Sequence, residues 1–174
     1  MRSTAIGFLA ALVASGAVAL GQEPAGRQGR GEGDAGRRGR GAGAVILEQA
    51  PTDRSIPISK EKLAQYLKDM DAKKLSTLRM IEGGKFNVNI RRITDAETAL
   101  IHPQTIDVWV VIEGSGTLTT GGRIENGKIV GGESHQIKVG DVEFIPANLP
   151  HGVSGVNGTI AWLNIRWDVD WDKK

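Results

Sequence analysis

Apolar and polar residues change their spacing several times along this chain, and the changes divide it into segments. From Ala5 to Leu20 the run is unbroken in apolar and small residues, preceded by one arginine, Arg2. A charged start, a hydrophobic middle and small residues at the exit are the plan of a secretory signal. Ala19 and Gly21 fit the exit, so 1–21 reads as a leader cut before Gln22. An uncleaved membrane anchor is the other reading, but the run is shorter than the roughly 20 residues that span a bilayer.

Residues 22–43 have no apolar periodicity and consist largely of Gly, Arg and Ala, with repeats such as R-G-R-G. Such a segment cannot bury enough surface to offset the entropy of ordering. It reads as a disordered linker that tethers the domain to its leader, in preference to an RNA-binding arginine–glycine tract. Its charge also suits weak attraction to an anionic membrane surface or cell-wall polymer.

The ordered domain is expected to begin near Ala44. Val45–Leu47 suits a short strand, and Pro51 and Pro57 bound an extended arm. Ser59 is placed to cap a helix over Lys60–Leu75. Leu63, Tyr66, Leu67 and Met70 fall at i, i+3, i+4 and i+7, a single apolar stripe against a lysine-rich face. Residues 44–77 therefore form an N-terminal arm and one amphipathic packing helix, with nothing that suggests chemistry.

From Leu78 the period becomes two. Phe86, Val88 and Ile90 alternate with Asn87, Asn89 and Arg91, and Val108, Val110 and Ile112 alternate with Asp107, Trp109 and Val111. Gly114-Ser115-Gly116 reads as a tight turn before Thr117–Thr120. Asn126-Gly127 predicts a type I′ hairpin, because both central positions need positive φ. Further short runs follow at Ser134–Lys138, Val142–Ile145, Val153–Val156 and Thr159–Trp167. Short strands so spaced, with no helices between them, predict an all-β antiparallel sandwich or barrel over 78–174.

Composition changes this picture little. The 24 glycines exceed the usual share of about 7%, but many belong to the linker. The chain's 22 basic and 20 acidic residues include six arginines and three acids in 1–43, so 44–174 carries 16 against 17. The folded part is close to neutral and lacks the basic footprint of a nucleic-acid binder. Without cysteine there is no disulfide, zinc–thiolate site or cysteine nucleophile. No phosphate-cradling glycine loop opens a helix, so no nucleotide or organic cofactor is indicated.

Two stretches carry the candidate chemistry. His102–Gly114 reads H-P-Q-T-I-D-V-W-V-V-I-E-G, and Gly140–His151 reads G-D-V-E-F-I-P-A-N-L-P-H. Together they resemble the two motifs of the cupin family. The first motif is glycine, H-x-H, three or four residues, glutamate, six residues, glycine. His102 matches the second histidine, Asp107 stands at the glutamate position, and Gly114 closes the motif. The second motif is matched by Gly140, Pro146 and His151, with Asn148 where the family has a glycine. The resemblance covers Leu78–Asp168 and implies a double-stranded β-helix, or jelly-roll barrel. Three departures stand out: Leu100 at the first-histidine position, Asp107 for glutamate, and Gly155 where an asparagine is sometimes found.

The resemblance implies that His102, Asp107 and His151 converge inside the barrel. Two histidines and a carboxylate form a facial triad suited to Fe, and also to Mn or Zn. Three protein ligands leave positions open for water, substrate or O₂. The alternative is a metal-free barrel in which the same residues bond to one another or to water. Trp109 faces inward with Asp107, where it stacks on a ligand or fills the barrel. Trp162, Asn164 and Arg166 share one face of the last strand. If that face is the pocket, Arg166 can hold a carboxylate by its fork. If it is the outside, the three are rim residues. His135, in a polar context, is expected at the surface, and Asp141 in a turn.

The function expected is that of an exported, periplasmic or secreted barrel that binds a small polar molecule. By resemblance it is a metal-dependent enzyme of the dioxygenase, isomerase or decarboxylase type. The alternative is a non-catalytic ligand-binding or structural cupin. The resemblance also implies a homodimer, with the arm of 44–77 meeting a second chain. No nucleic acid partner, and no stable membrane insertion after cleavage, is expected.

Overall fold

The computed structural model describes residues 45–173, and the leader and linker readings fall outside them. Among the described residues ten strands and one helix follow one another. Strand β1 (Val45–Gln49) pairs in parallel with β2 (Thr77–Glu82), and α1 (Lys60–Lys73) lies between them in the chain. The remaining strands are β3 (Phe86–Ile93), β4 (Thr105–Thr120), β5 (Arg123–Glu125), β6 (Lys128–Val130), β7 (Glu133–Lys138), β8 (Val142–Ile145), β9 (His151–Ser154) and β10 (Ile160–Asp168). The order β1-β2-β3-β10-β4-β7 makes the principal sheet, while β8 and β9 also pair with β4. No helix among the described residues is long and apolar enough to cross a membrane.

The helix forms where its stripe predicts, and Ser59 caps it by accepting from the Lys62 N–H at 3.2 Å. It ends at Lys73, two residues before the expected Leu75, because Lys74 turns left-handed (φ 52°). The Leu75 N–H then bonds back to the Met70 carbonyl at 2.8 Å and closes the end. Leu63, Tyr66 and Leu67 pack with Met70 on Leu78, Met80 and Ile90, the outer face of β2 and β3. Burial of a side chain such as Met70 contributes about 1.5–3 kcal/mol.

This docking decides which face of each strand is which. Val88 and Ile90 lie under α1, so Asn87 and Asn89 face into the barrel and are buried. The alternation in β3 is therefore apolar towards a helix and polar towards an interior, not apolar towards core and polar towards water. A bulge at Met80 in β2, between Arg79 and Ile81, lets Leu78 and Met80 meet the helix while Arg79 stands opposite the inward-facing Asn89. Inside, Trp109, Val111, Leu118, Ile137, Ile145, Val153, Ile160 and Trp162 form the barrel core.

The expected Gly114-Ser115-Gly116 turn is not a turn. Strand β4 continues through it for 16 residues. Its first part pairs with β10 and β8, and its second part with β7 and β9. Gly114 (φ +67°) is the corner at which one strand passes from the first group to the second. A Cβ there would sit 1.7 Å from the Thr159 carbonyl oxygen, which explains why a glycine interrupts the strand at this position. The Asn126-Gly127 hairpin forms as expected between β5 and β6, with both residues at positive φ.

Gly114→Ala combines a backbone clash with a disfavoured φ, so a loss of about 2–4 kcal/mol is expected. Urea unfolding of the two chains measures it, and a change within experimental error would contradict the corner assignment.

Candidate functional site

Asp107 is positioned by β4, where the residue lies between Ile145 of β8 and Arg166 of β10 in register. His151 opens β9, and its backbone exchanges two hydrogen bonds with Leu100, each 3.0 Å. His102 lies just before β4, and its carbonyl accepts from the Asn148 N–H at 2.8 Å. Asn148 sits at φ 65°, a conformation asparagine tolerates well, which accounts for its standing where the motif has glycine. Three separate segments thus deliver one ligand atom each, all within 4.8 Å of one another. Asp107 is 1% exposed, and His102 and His151 are nearly as buried.

Both imidazoles are held neutral. Burial, then the neighbouring Arg166 charge, pulls His102 from its ordinary 6.5 down to about 4, against the attraction of Asp107. Burial likewise lowers His151. The Leu149 carbonyl, 2.9 Å from His151 Nδ1, can only accept, so that nitrogen carries the proton. The lone pair of His151 Nε2 is left facing Asp107 Oδ2 at 3.7 Å. His102 Nε2 stands 3.8 Å from the same oxygen. Two neutral imidazoles and a carboxylate converging on one point are a donor set that fits a divalent metal.

A fourth side chain enters this group. Arg166 Nε donates to Asp107 Oδ1 at 2.6 Å and its Nη2 to Oδ2 at 3.3 Å. The same Nη2 contacts His102 Nε2. The inward face of β10 is therefore the pocket face: Trp162, Asn164 and Arg166 all line the cavity that contains the triad, as Trp109 does. The alternative of a rim position does not hold for them. The cavity, of about 210 Å³, is smaller than the 300–1,000 Å³ of drug-sized pockets. Trp109 stacks at a tilt on Trp162 and meets His151 edge-on, centroids 4.7 and 5.7 Å apart. The indole N–H groups of both tryptophans and the Asn164 amide oxygen are buried without a partner among the described residues.

Arg79, Asn89, Arg91 and Glu97 also line the cavity and were not singled out in the sequence. Arg79 Nε donates to Asn89 Oδ1 at 3.1 Å and its Nη1 pairs with Glu82, while Arg91 pairs with Glu97. The available signal was the polar row Asn87, Asn89, Arg91, whose direction alternation alone does not settle. His135 is exposed, bonded to Glu143 at 3.0 Å and away from the cavity. Asp141 accepts from the Lys138 N–H at 2.9 Å, a turn residue as expected. Leu100 lines the cavity beside the triad.

The lowered histidine pKa values have a consequence for stability. Between about 6.5 and about 4 the unfolded His102 takes up a proton that the folded one refuses. Stability should therefore fall as pH drops through that window, with His151 acting in the same direction. Urea midpoints measured from pH 7 to pH 4 should decline, and His102→Asn should decline less steeply; identical slopes would refute the assignment.

No family model matches the sequence, and no curated protein matches it. Solved structures do resemble the fold. A Bacillus halodurans protein, 18% identical, aligns over 67% of this chain and 83% of its own with TM-score 0.52. A conserved Klebsiella pneumoniae protein with a double-stranded β-helix domain is 17% identical over 52% of this chain and 73% of its own, TM-score 0.44. The cupin domain of Schizosaccharomyces pombe Cnp3 is 8% identical over 53% and 59%, TM-score 0.44. The strand order and the likeness to the Bacillus halodurans protein show the fold: a cupin-type, double-stranded β-helix barrel with one helix packed outside.

Proposed function

We propose that this protein binds a small polar molecule in its barrel, beside a divalent metal held by His102, Asp107 and His151. The supporting observation is convergence. Three ligand atoms from three segments lie within 4.8 Å, in a cavity that Trp109, Trp162, Asn164 and Arg166 also line. The small cavity and its polar lining suit a compact polar ligand.

The two-nitrogen, one-oxygen set suits Fe, Mn or Zn. Such an ion, when bound, supplies Lewis-acid polarisation or an activated water. Around it the chain's own residues have defined tasks. The Leu149 carbonyl fixes the His151 ring, and the Trp109–Trp162 stack excludes water on one side. Resemblance to the family's dioxygenases, isomerases and decarboxylases leaves the reaction class open, because a fold hosts many chemistries. The leader read at 1–21 supports export, so the proposed setting is the periplasm or the exterior.

A second reading, metal-free ligand binding, draws on Arg166, whose guanidinium already neutralises Asp107. It predicts ligand-induced thermal stabilisation that chelators leave unchanged.

Incubation with Fe(II), Mn(II) and Zn(II), desalting and elemental analysis separate the two readings. Roughly one ion per chain is expected, falling to background in His151→Ala. Traces of metal that are the same in wild type and His151→Ala would sink the metal reading.

A further inference from the structure

We infer that Arg166 is an internal competitor for the cation site: its guanidinium holds the lone pairs a metal would take, and metal binding requires it to withdraw. The inference rests on the metal reading above. Of the three prospective ligands, Arg166 engages two. Its Nε and Nη2 take both oxygens of Asp107, and Nη2 also meets His102 Nε2. His151 Nε2 lies 3.7 Å from Asp107 Oδ2, the oxygen that Arg166 Nη2 engages.

This arrangement is built into the backbone. Arg166 stands directly opposite Asp107 in the β4–β10 register. Its side chain is 11% exposed and Asp107 1%, so the pair is held inside the barrel and is not a mobile surface contact. The guanidinium cannot be relieved of its charge by deprotonation. Nor can Glu97, the other acid that lines the cavity, take it over at once, since Arg91 already uses it. A divalent ion placed among the same atoms would face a like charge at close range in a weakly screened space. One cation must leave, and the tethered one is present at all times.

Competition by a tethered group lowers the apparent metal affinity without altering the ligand set. It predicts that the strongest metal site is obtained by removing a residue that is not a ligand. Calorimetric titration of the full chain with Zn²⁺ should show Arg166→Gln binding at least ~10-fold tighter than wild type, because the competing charge is gone. Adding His151→Ala to Arg166→Gln should abolish that gain and so locate the ion. In wild type, Zn²⁺ should shift the Arg166 Nε–H resonance as its bond to Asp107 is broken. This second measurement needs no variant, so a failure of Arg166→Gln to fold would leave the proposal open to refutation. Equal affinities with an unmoved Nε–H signal would overturn the competitor role and leave the metal reading standing. Absence of Zn²⁺ binding in both chains would overturn both.

Discussion

Strand β4 serves both groups of strands with one run of 16 residues, and the alternation of a strand decides what each residue faces. With Val108 and Val110 outside, Asp107, Trp109 and Val111 have to be inside. The neighbouring strand is then read off the same ladder: Arg166 stands opposite Asp107, Asn164 opposite Trp109, and Trp162 opposite Val111. A slip of one residue would expose the carboxylate and bury a valine in its place, so the register is strongly specified. At the corner the alternation shifts by one residue, so that Asp107, Trp109 and Val111 are buried before it and Gly116 and Leu118 after it. The site, the core and the closure of the barrel all depend on that one strand.

Its interior is divided between an apolar core and a polar cavity, and electrostatics sets the terms in the second. A buried charge is tolerated only when paired. Each arginine lining the cavity has its acid: Arg79 with Glu82, Arg91 with Glu97, Arg166 with Asp107. The histidines add no charge, because burial keeps them neutral. The cavity is thus balanced as it stands, and anything charged that enters has to displace a partner. That balance explains how one carboxylate can serve both as half of a structural ion pair and as a candidate metal ligand.

Much of the fold was legible from local signals. The helix stripe, the Ser59 cap and the Asn126-Gly127 hairpin depend on residues a few positions apart, and each formed where expected. The two cupin-like stretches were legible as a pair, and His102, Asp107 and His151 do converge. The corner at Gly114–Gly116 was misread, because glycine serves a turn and a bent, crowded strand equally well. The direction of Asn87 and Asn89 was not legible, because an alternating strand looks the same whichever side its polar row faces.

The sequence by itself determined the period of each segment, the ends of the helix to within two residues and the chemical identity of the candidate ligands. These follow from short-range geometry: the helical repeat, the strand repeat and the φ preferences of single residues. Only the tertiary structure decided which row of β3 and β10 faces the cavity, and that Arg166 reaches a carboxylate 59 residues away and a histidine 64 away. A strand's two faces are equivalent until something docks on one of them. Here α1 covers the Val88 and Ile90 side, and closure of the barrel leaves the polar row inside with the triad.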